Sequence, residues 1–111
     1  MYDNNFILDG RGSTSNGKKL VKKLNLSLVT KVTITKQGGT DGGPANVDFY
    51  FLDGDTVTII NSFGIGYGGT GPWGLHDVLI DMGIPRESAD TIFTHRSTDP
   101  LEFTFSIASV E

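Results

Sequence analysis

The stretch VDFYFLDGDTVTIIN, residues 47–61, consists of two alternating runs flanking Asp53-Gly54. Successive side chains of a strand point to opposite faces. Val47, Phe49 and Phe51 therefore share one face of the first run, and Asp48, Tyr50 and Leu52 the other. On the return run Val57 and Ile59 alternate with Thr56, Thr58 and Ile60. Asp and Gly best tolerate the positive φ that a type I′ turn needs at both central positions, so the spacing predicts a two-residue hairpin. A sheet with one apolar and one mixed face follows.

Working back from the hairpin, LVTKVTITK (28–36) alternates Val32 and Ile34 against Lys31, Thr33 and Thr35, which predicts a half-buried strand. It completes a three-stranded antiparallel meander with the hairpin. QGGTDGGPAN (37–46), between them, reads as a loop. GKKLVKKLN (17–25) places Leu20, Val21 and Leu24 on one stripe and Lys18, Lys19, Lys22 and Lys23 off it, which predicts an amphipathic helix with a basic outer face. Ser15-Asn16 are the expected N-cap. DGRGSTSNG (9–17) is a loop, and Phe6-Ile7-Leu8 an edge strand or arm.

Downstream, Leu75, Val78, Leu79 and Met82 recur at helical spacing, with Pro72 in the first turn and Gly83 at the left-handed C′ position. A short helix follows from Pro85, with Ala89, Ile92 and Phe93 inward. THRSTDP (94–100) is a loop, and LEFTFSIASV (101–110) alternates as a last strand. The order is β-α-β-β-β-α-α-β. With no βαβαβ series, the expected class is α+β: one domain over residues 1–111, with a mostly antiparallel sheet and helices packed on one face.

Composition narrows the function classes. The chain has no cysteine, which excludes disulfides and thiolate metal sites. It has no apolar run long enough to span a membrane, and MYDNNFILDG does not read as a signal peptide, so a cytoplasmic location is expected. The net charge of −4 hides a split. Residues 1–36 carry seven basic and two acidic side chains, and residues 37–111 two basic and eleven acidic. That acidity, and the lack of a nucleic-acid fold signature, argue against nucleic acid as partner. The lysines of 18–23 read either as a solvated helix face or as an anion contact.

The candidate site is the stretch between hairpin and helix, NSFGIGYGGTGPWGL (61–75). Gly64, Gly66 and Gly69 satisfy G-x-G-x-x-G formally, but the helix begins too late and no parallel βαβ unit frames it, so a dinucleotide fold is not implied. General physics remains. Amides freed at a helix start, with the positive dipole end behind them, form a receptor for negative charge. Gly66, Gly68, Gly69 and Gly71 allow close approach, Thr70 adds a hydroxyl, and Phe63, Tyr67 and Trp73 offer rings for stacking. Arg96, in a polar loop, is the expected cation from outside the stretch. His76 and His95 form no metal-binding or catalytic spacing, so neither an enzyme nor a cofactor is expected.

The resulting expectation is a non-enzymatic protein that holds an anionic, nucleotide-like ligand at 61–75. It would act as a sequestering protein, with the site shared across a homo-oligomer. Competing readings are a plain strand-to-helix connection with its rings in the core, and a protein-interaction module, such as an immunity-type or mobile-element inhibitor acting through an acidic surface.

Overall fold

The computed structural model describes residues 4–39, 43–66, 69–94 and 100–107. Five strands form one sheet: β1 (Asn5–Asp9), β2 (Val29–Lys36), β3 (Gly43–Phe51), β4 (Thr56–Ile65) and β5 (Leu101–Ser106). Their spatial order is β1-β4-β3-β2-β5, with only the β1–β4 pair parallel. Helix α1 (Thr14–Lys22) and a 3-10 turn (Leu26–Leu28) connect β1 to β2. Helix α2 (Thr70–Asp81) and two single-turn helices, α3 (Arg86–Ala89) and α4 (Thr91–Thr94), connect β4 to β5. The class is α+β, as the element order implies.

One face of the sheet carries the core. Val32 and Ile34 of β2, Ala45, Val47 and Phe49 of β3, and Ile59, Phe63 and Ile65 of β4 pack under Val21 of α1, Leu75, Val78 and Leu79 of α2, and Ile84, Ala89 and Ile92 beyond it. The alternation of β2 also turns Lys36 inward, where it is 1% exposed and its Nζ donates to the carbonyl of Gln37 at 2.8 Å. The opposite face stays polar: Thr58 Oγ1 donates to the Asp48 carboxylate, and Lys31 lies 4.4 Å from the centre of the Tyr50 ring.

Several boundaries differ from the sequence reading. Helix α1 starts at Thr14, with Ser13 rather than Ser15 or Asn16 as the N-cap. Ser13 is extended and its hydroxyl accepts from Asn16 N–H at 3.1 Å, while the Asn16 side chain reaches back to the Gly10 carbonyl at 3.3 Å. The hairpin loop is not type I′. Phe51 N–H donates to Asp55 O at 2.8 Å across three residues, and in the loop only Gly54 has positive φ, at 97°. This is the type I turn with a left-handed glycine, the other common hairpin closure. β3 begins at Gly43, inside the expected loop, because Gly43–Ala45 pair with Phe63–Ile65. The hairpin therefore runs past Asn61, through a bulge where Asn61 adopts φ 58°.

Helix α2 starts at Thr70, two residues before Pro72. It ends as expected: Gly83 has φ 90°, Gly83 N–H donates to Ile80 O and Ile84 N–H to Leu79 O, the two bonds of a Schellman motif. The helix expected after Pro85 is split at Asp90 into α3 and α4, with Ala89 and Ile92 buried as expected. Strand β5 alternates half-buried Leu101, Phe103 and Phe105 with exposed Glu102, Thr104 and Ser106.

Candidate functional site

The parallel pairing of β1 with β4 sets the geometry. Both strands deliver their chains to the same end of the sheet, and each is followed by a helix. The β1–α1 loop is then laid along β4: Gly10 N–H donates to Ile60 O at 2.9 Å, Gly12 N–H to Asn61 O at 2.7 Å, and Thr14 Oγ1 to Ser62 O at 2.8 Å. The contact is close. A Cβ on Gly10 would lie 1.4 Å from Ser62 Oγ, and one on Gly17 would lie 2.4 Å from Ser62 Cβ. Helix α2 approaches α1 just as closely, since a Cβ on Gly74 would lie 2.2 Å from the Thr14 methyl. Glycines at 10, 17 and 74 thus hold α1, α2 and β4 together, and put the outer faces of the two helices side by side.

Between those faces runs a groove. Its first part, about 440 Å³, is lined by Lys18, Lys19 and Lys22 of α1 and by Thr70, Trp73 and Asp77 of α2, among others. A second hollow of about 360 Å³ continues it, sharing Lys18, Lys22, Trp73 and Asp77 and adding His76 and Arg86. Trp73 stands where the two meet and is 53% exposed. Its ring is nonetheless fixed from behind: the Phe93 ring lies 4.6 Å away, and the His76 ring meets it edge-on at 5.5 Å. His76 is buried, with Nε2 2.7 Å from Asp90 Oδ1. The result is a wall of three rings with the indole at its solvent end.

The charge in the groove is mainly positive, with Lys18, Lys19, Lys22 and Arg86 against Asp77 and Asp81. Lys18 Nζ lies 3.2 Å from Asp77 Oδ2, and both side chains are about half in solvent, a pair worth at most about 1 kcal/mol. A competing anion can therefore displace Asp77 at little cost.

A third hollow, about 450 Å³, opens where the first turns of α1 and α2 meet, lined by Arg11, Thr14, Asn61, Ser62 and Gly71 among others. Arg11 and Asn61 are the non-glycine residues with positive φ among those described, at 56° and 58°. The Asp9 carboxylate ties them together, accepting from Arg11 N–H at 2.7 Å and from Asn61 Nδ2 at 3.0 Å. Those two bonds, the backbone one first, hold the Asp9 carboxyl below its ordinary value.

The residues expected at the site separate into groups. Phe63 is 3% exposed, on the core face of β4, and offers no open ring. Gly66 is buried with φ 80°, and its N–H donates to Ile92 O at 2.7 Å, so this amide is already engaged. Gly69 is the N-cap of α2. The first intrahelical bond runs from Trp73 N–H to Gly69 O, leaving the amides of Thr70 and Gly71 without an acceptor among the described residues. Thr70 and Trp73 face the groove, and Gly71 lines the third hollow. Tyr67, Gly68 and Arg96 lie outside the described residues. The lysines of α1 are what the sequence reading left out of the site. The signal lay in the spacing of Lys18 and Lys22, one helical turn apart on a single face.

Among the described residues no group of three or more His, Cys, Asp or Glu is placed to hold a metal, and no helix is long and apolar enough to cross a membrane. No protein-family model, curated protein or solved structure matches the chain.

Proposed function

We propose that the protein is a non-enzymatic binding protein that sequesters an anionic, nucleotide-like ligand in the α1–α2 groove. The observation that carries this is Trp73: an indole 53% exposed, braced by two rings, between hollows that both include Lys18 and Lys22. A base stacked on the indole contributes roughly 1–3 kcal/mol. Phosphates lie against Lys18, Lys19 and Lys22, with the Thr70 hydroxyl and the first amides of α2 beyond them. The groove volume lies within the range of small-molecule sites, about 300–1,000 Å³. We place the protein in the cytoplasm, where such ligands circulate.

Trp73 is the only tryptophan in the sequence, so its emission reports directly on the groove. Titration with mono-, di- and cyclic nucleotides is expected to quench it saturably. Lys18→Ala and Lys22→Ala weaken the binding, and added salt weakens it further. Absence of both quenching and a melting-temperature shift at millimolar concentration of every nucleotide tested overturns the reading.

The second reading, a protein-interaction module acting through an acidic surface, draws on the tip of the β3–β4 hairpin. Leu52 there is 73% exposed beside Leu28 at 44%, with Asp53 and Asp55 flanking them. Capture of a partner protein that is lost on Leu52→Lys, but unaffected by Trp73→Ala, favours that reading instead.

A further inference from the structure

Strand β1 is one edge of the sheet, paired among the described strands with β4 alone. Its apolar residues Phe6, Ile7 and Leu8 are consecutive and so occupy both faces, with Phe6 49% and Ile7 69% exposed. The other edge, β5, keeps its exposed positions polar at Glu102, Thr104 and Ser106. Edge strands are normally protected by charge, proline or a bulge, and Asn5-Phe6-Ile7-Leu8-Asp9 has none of these between its ends.

The phase of the β1–β4 ladder fixes which backbone groups are free. Thr56 N–H donates to Asn4 O, and Gly10 N–H to Ile60 O, so the even-numbered residues of β1 turn their backbone groups toward β4. Asn5, Ile7 and Asp9 turn theirs outward, and no described residue takes them. We propose that this edge pairs with the β1 edge of a second copy of the chain, antiparallel about a two-fold axis through Ile7, giving one continuous ten-stranded sheet.

The strand is complementary to itself in that register. Ile7 lies opposite the partner's Ile7 as a hydrogen-bonded pair, and Asn5 opposite the partner's Asp9, which uses every outward group of the strand in about six bonds. Opposed residues share a face. Phe6 therefore meets the partner's Leu8 on the helix side, and the two Ile7 side chains meet on the open side. A shift by one residue would set a free amide against a group already used in the β1–β4 ladder. The Cα atoms of the two Asp9 residues stand about 14 Å apart, beyond a Debye length at physiological salt. Symmetric pairs of this kind are the commonest assembly. The strand contact alone is small, so the dimer is expected in the micromolar-to-millimolar range. The proposal is independent of the groove and of any ligand.

Sedimentation velocity from about 10 µM to about 1 mM tests it, with the range set by that interface size. The expected result is a concentration-dependent rise toward twice 11.9 kDa. Ile7→Lys is expected to weaken association at least tenfold. The chain has no cysteine, so a single introduced thiol reads the register without background. Across the two-fold the Cα atoms at position 7 are about 5.5 Å apart, within disulfide reach, whereas those at position 5 are about 14 Å apart. Ile7→Cys should therefore cross-link under mild oxidation, and Asn5→Cys should not. A monomer at every concentration, a dimer indifferent to Ile7→Lys, or cross-linking at position 5 in place of position 7 overturns the proposal. The last two outcomes would mean that another surface or another register makes the dimer.

Discussion

Replacing Gly74 with alanine sets two effects of opposite sign against each other. Glycine inside a helix is worse than alanine by about 0.8–1.0 kcal/mol, so in isolation the change would stabilise α2. In the fold, however, the new methyl would lie 2.2 Å from Thr14 Cγ2, while the Phe63 ring and the Lys18 stem, at 3.6 and 3.7 Å, are in ordinary contact. The clash is thus with one methyl. Thr14 cannot turn it away freely, because its hydroxyl is committed to Ser62 O at 2.8 Å and rotation about χ1 breaks that bond. Overpacking of this kind costs about 1–3 kcal/mol. The sum is a net loss of about 1 kcal/mol, or about 4 °C in melting temperature for a domain of this size.

Thr14→Ser removes the methyl and keeps the hydroxyl. In that background Gly74→Ala should express its helix propensity and stabilise by close to 1 kcal/mol. The four proteins of the cycle, unfolded in urea, should therefore show a coupling of about 1–3 kcal/mol between positions 14 and 74. If Gly74→Ala raises stability equally with threonine and with serine at 14, the helices do not meet as described. The groove between them then loses its geometry.

Other outcomes follow from single contacts. Asp9 has a folded pKa below its ordinary 3.8, so its contribution to stability is present above that value and is lost as pH falls through the folded one. Asp9→Asn should flatten the acid limb of a denaturation-midpoint profile between about pH 5 and pH 2, and parallel profiles would contradict the assignment. Gly54→Ala should cost about 1–2 kcal/mol for its left-handed φ, whereas Asp53→Ala should cost no more than about 1 kcal/mol for the lost bond to Asp55 N–H. Equal costs, read by urea melts, would restore the type I′ turn. Lys36→Ala should cost about 2–4 kcal/mol by emptying the space of a buried stem, with Lys36→Met recovering at least half. A cost below about 0.5 kcal/mol for the alanine, in the same urea melts, would show that the stem is not packed.

The meander of β2, β3 and β4 was legible because each strand has one buried and one mixed face, so the period-two signal survives in the sequence. The Gly83 stop of α2 was legible because left-handed φ at C′ has a residue preference strong enough to read locally. Element ends were less so. Ser13, Ser15 and Asn16 are all competent caps, and the choice among them was made by the Gly10 carbonyl, which takes the Asn16 side chain. The extension of β4 through Phe63–Ile65 was hidden for a related reason. Glycines at 64 and 66 suggest a loop, but their partner Gly43–Ala45 is itself glycine- and proline-containing, and only the pairing of the two makes a ladder. The parallel placement of β1 against β4 left no local trace at all, since register between distant strands is settled by where α1 can cross the sheet.

The parallel placement of β1 also decides which parts of the site are visible in the sequence. Within 61–75 the sequence shows rings and glycines but not which of them face water. Alternation along β4 turns Phe63 inward, while helical spacing from Thr70 turns Trp73 outward, and the change of period between the two positions decides their roles. The lysines of α1 are about fifty residues upstream, and the sequence alone does not separate a solvated face from an anion contact. They join Trp73 only because β1 and β4 run parallel and send both helices along one face, with Gly17 letting α1 lie close on β4 and Gly74 removing the side chain that would hold α2 away from α1. Gly74, within the glycine-rich stretch, thus serves close packing of the two helices, while Gly69 and Gly71 stand at the start of α2. The groove between the helices has one wall from each half of a charge-divided chain, basic from residues 1–36 and aromatic from the acidic remainder. Lys18 and Lys22 thereby come to line the same hollows as the indole, with Asp77 paired to Lys18, and a weakly held, half-exposed ion pair is what a phosphate can replace.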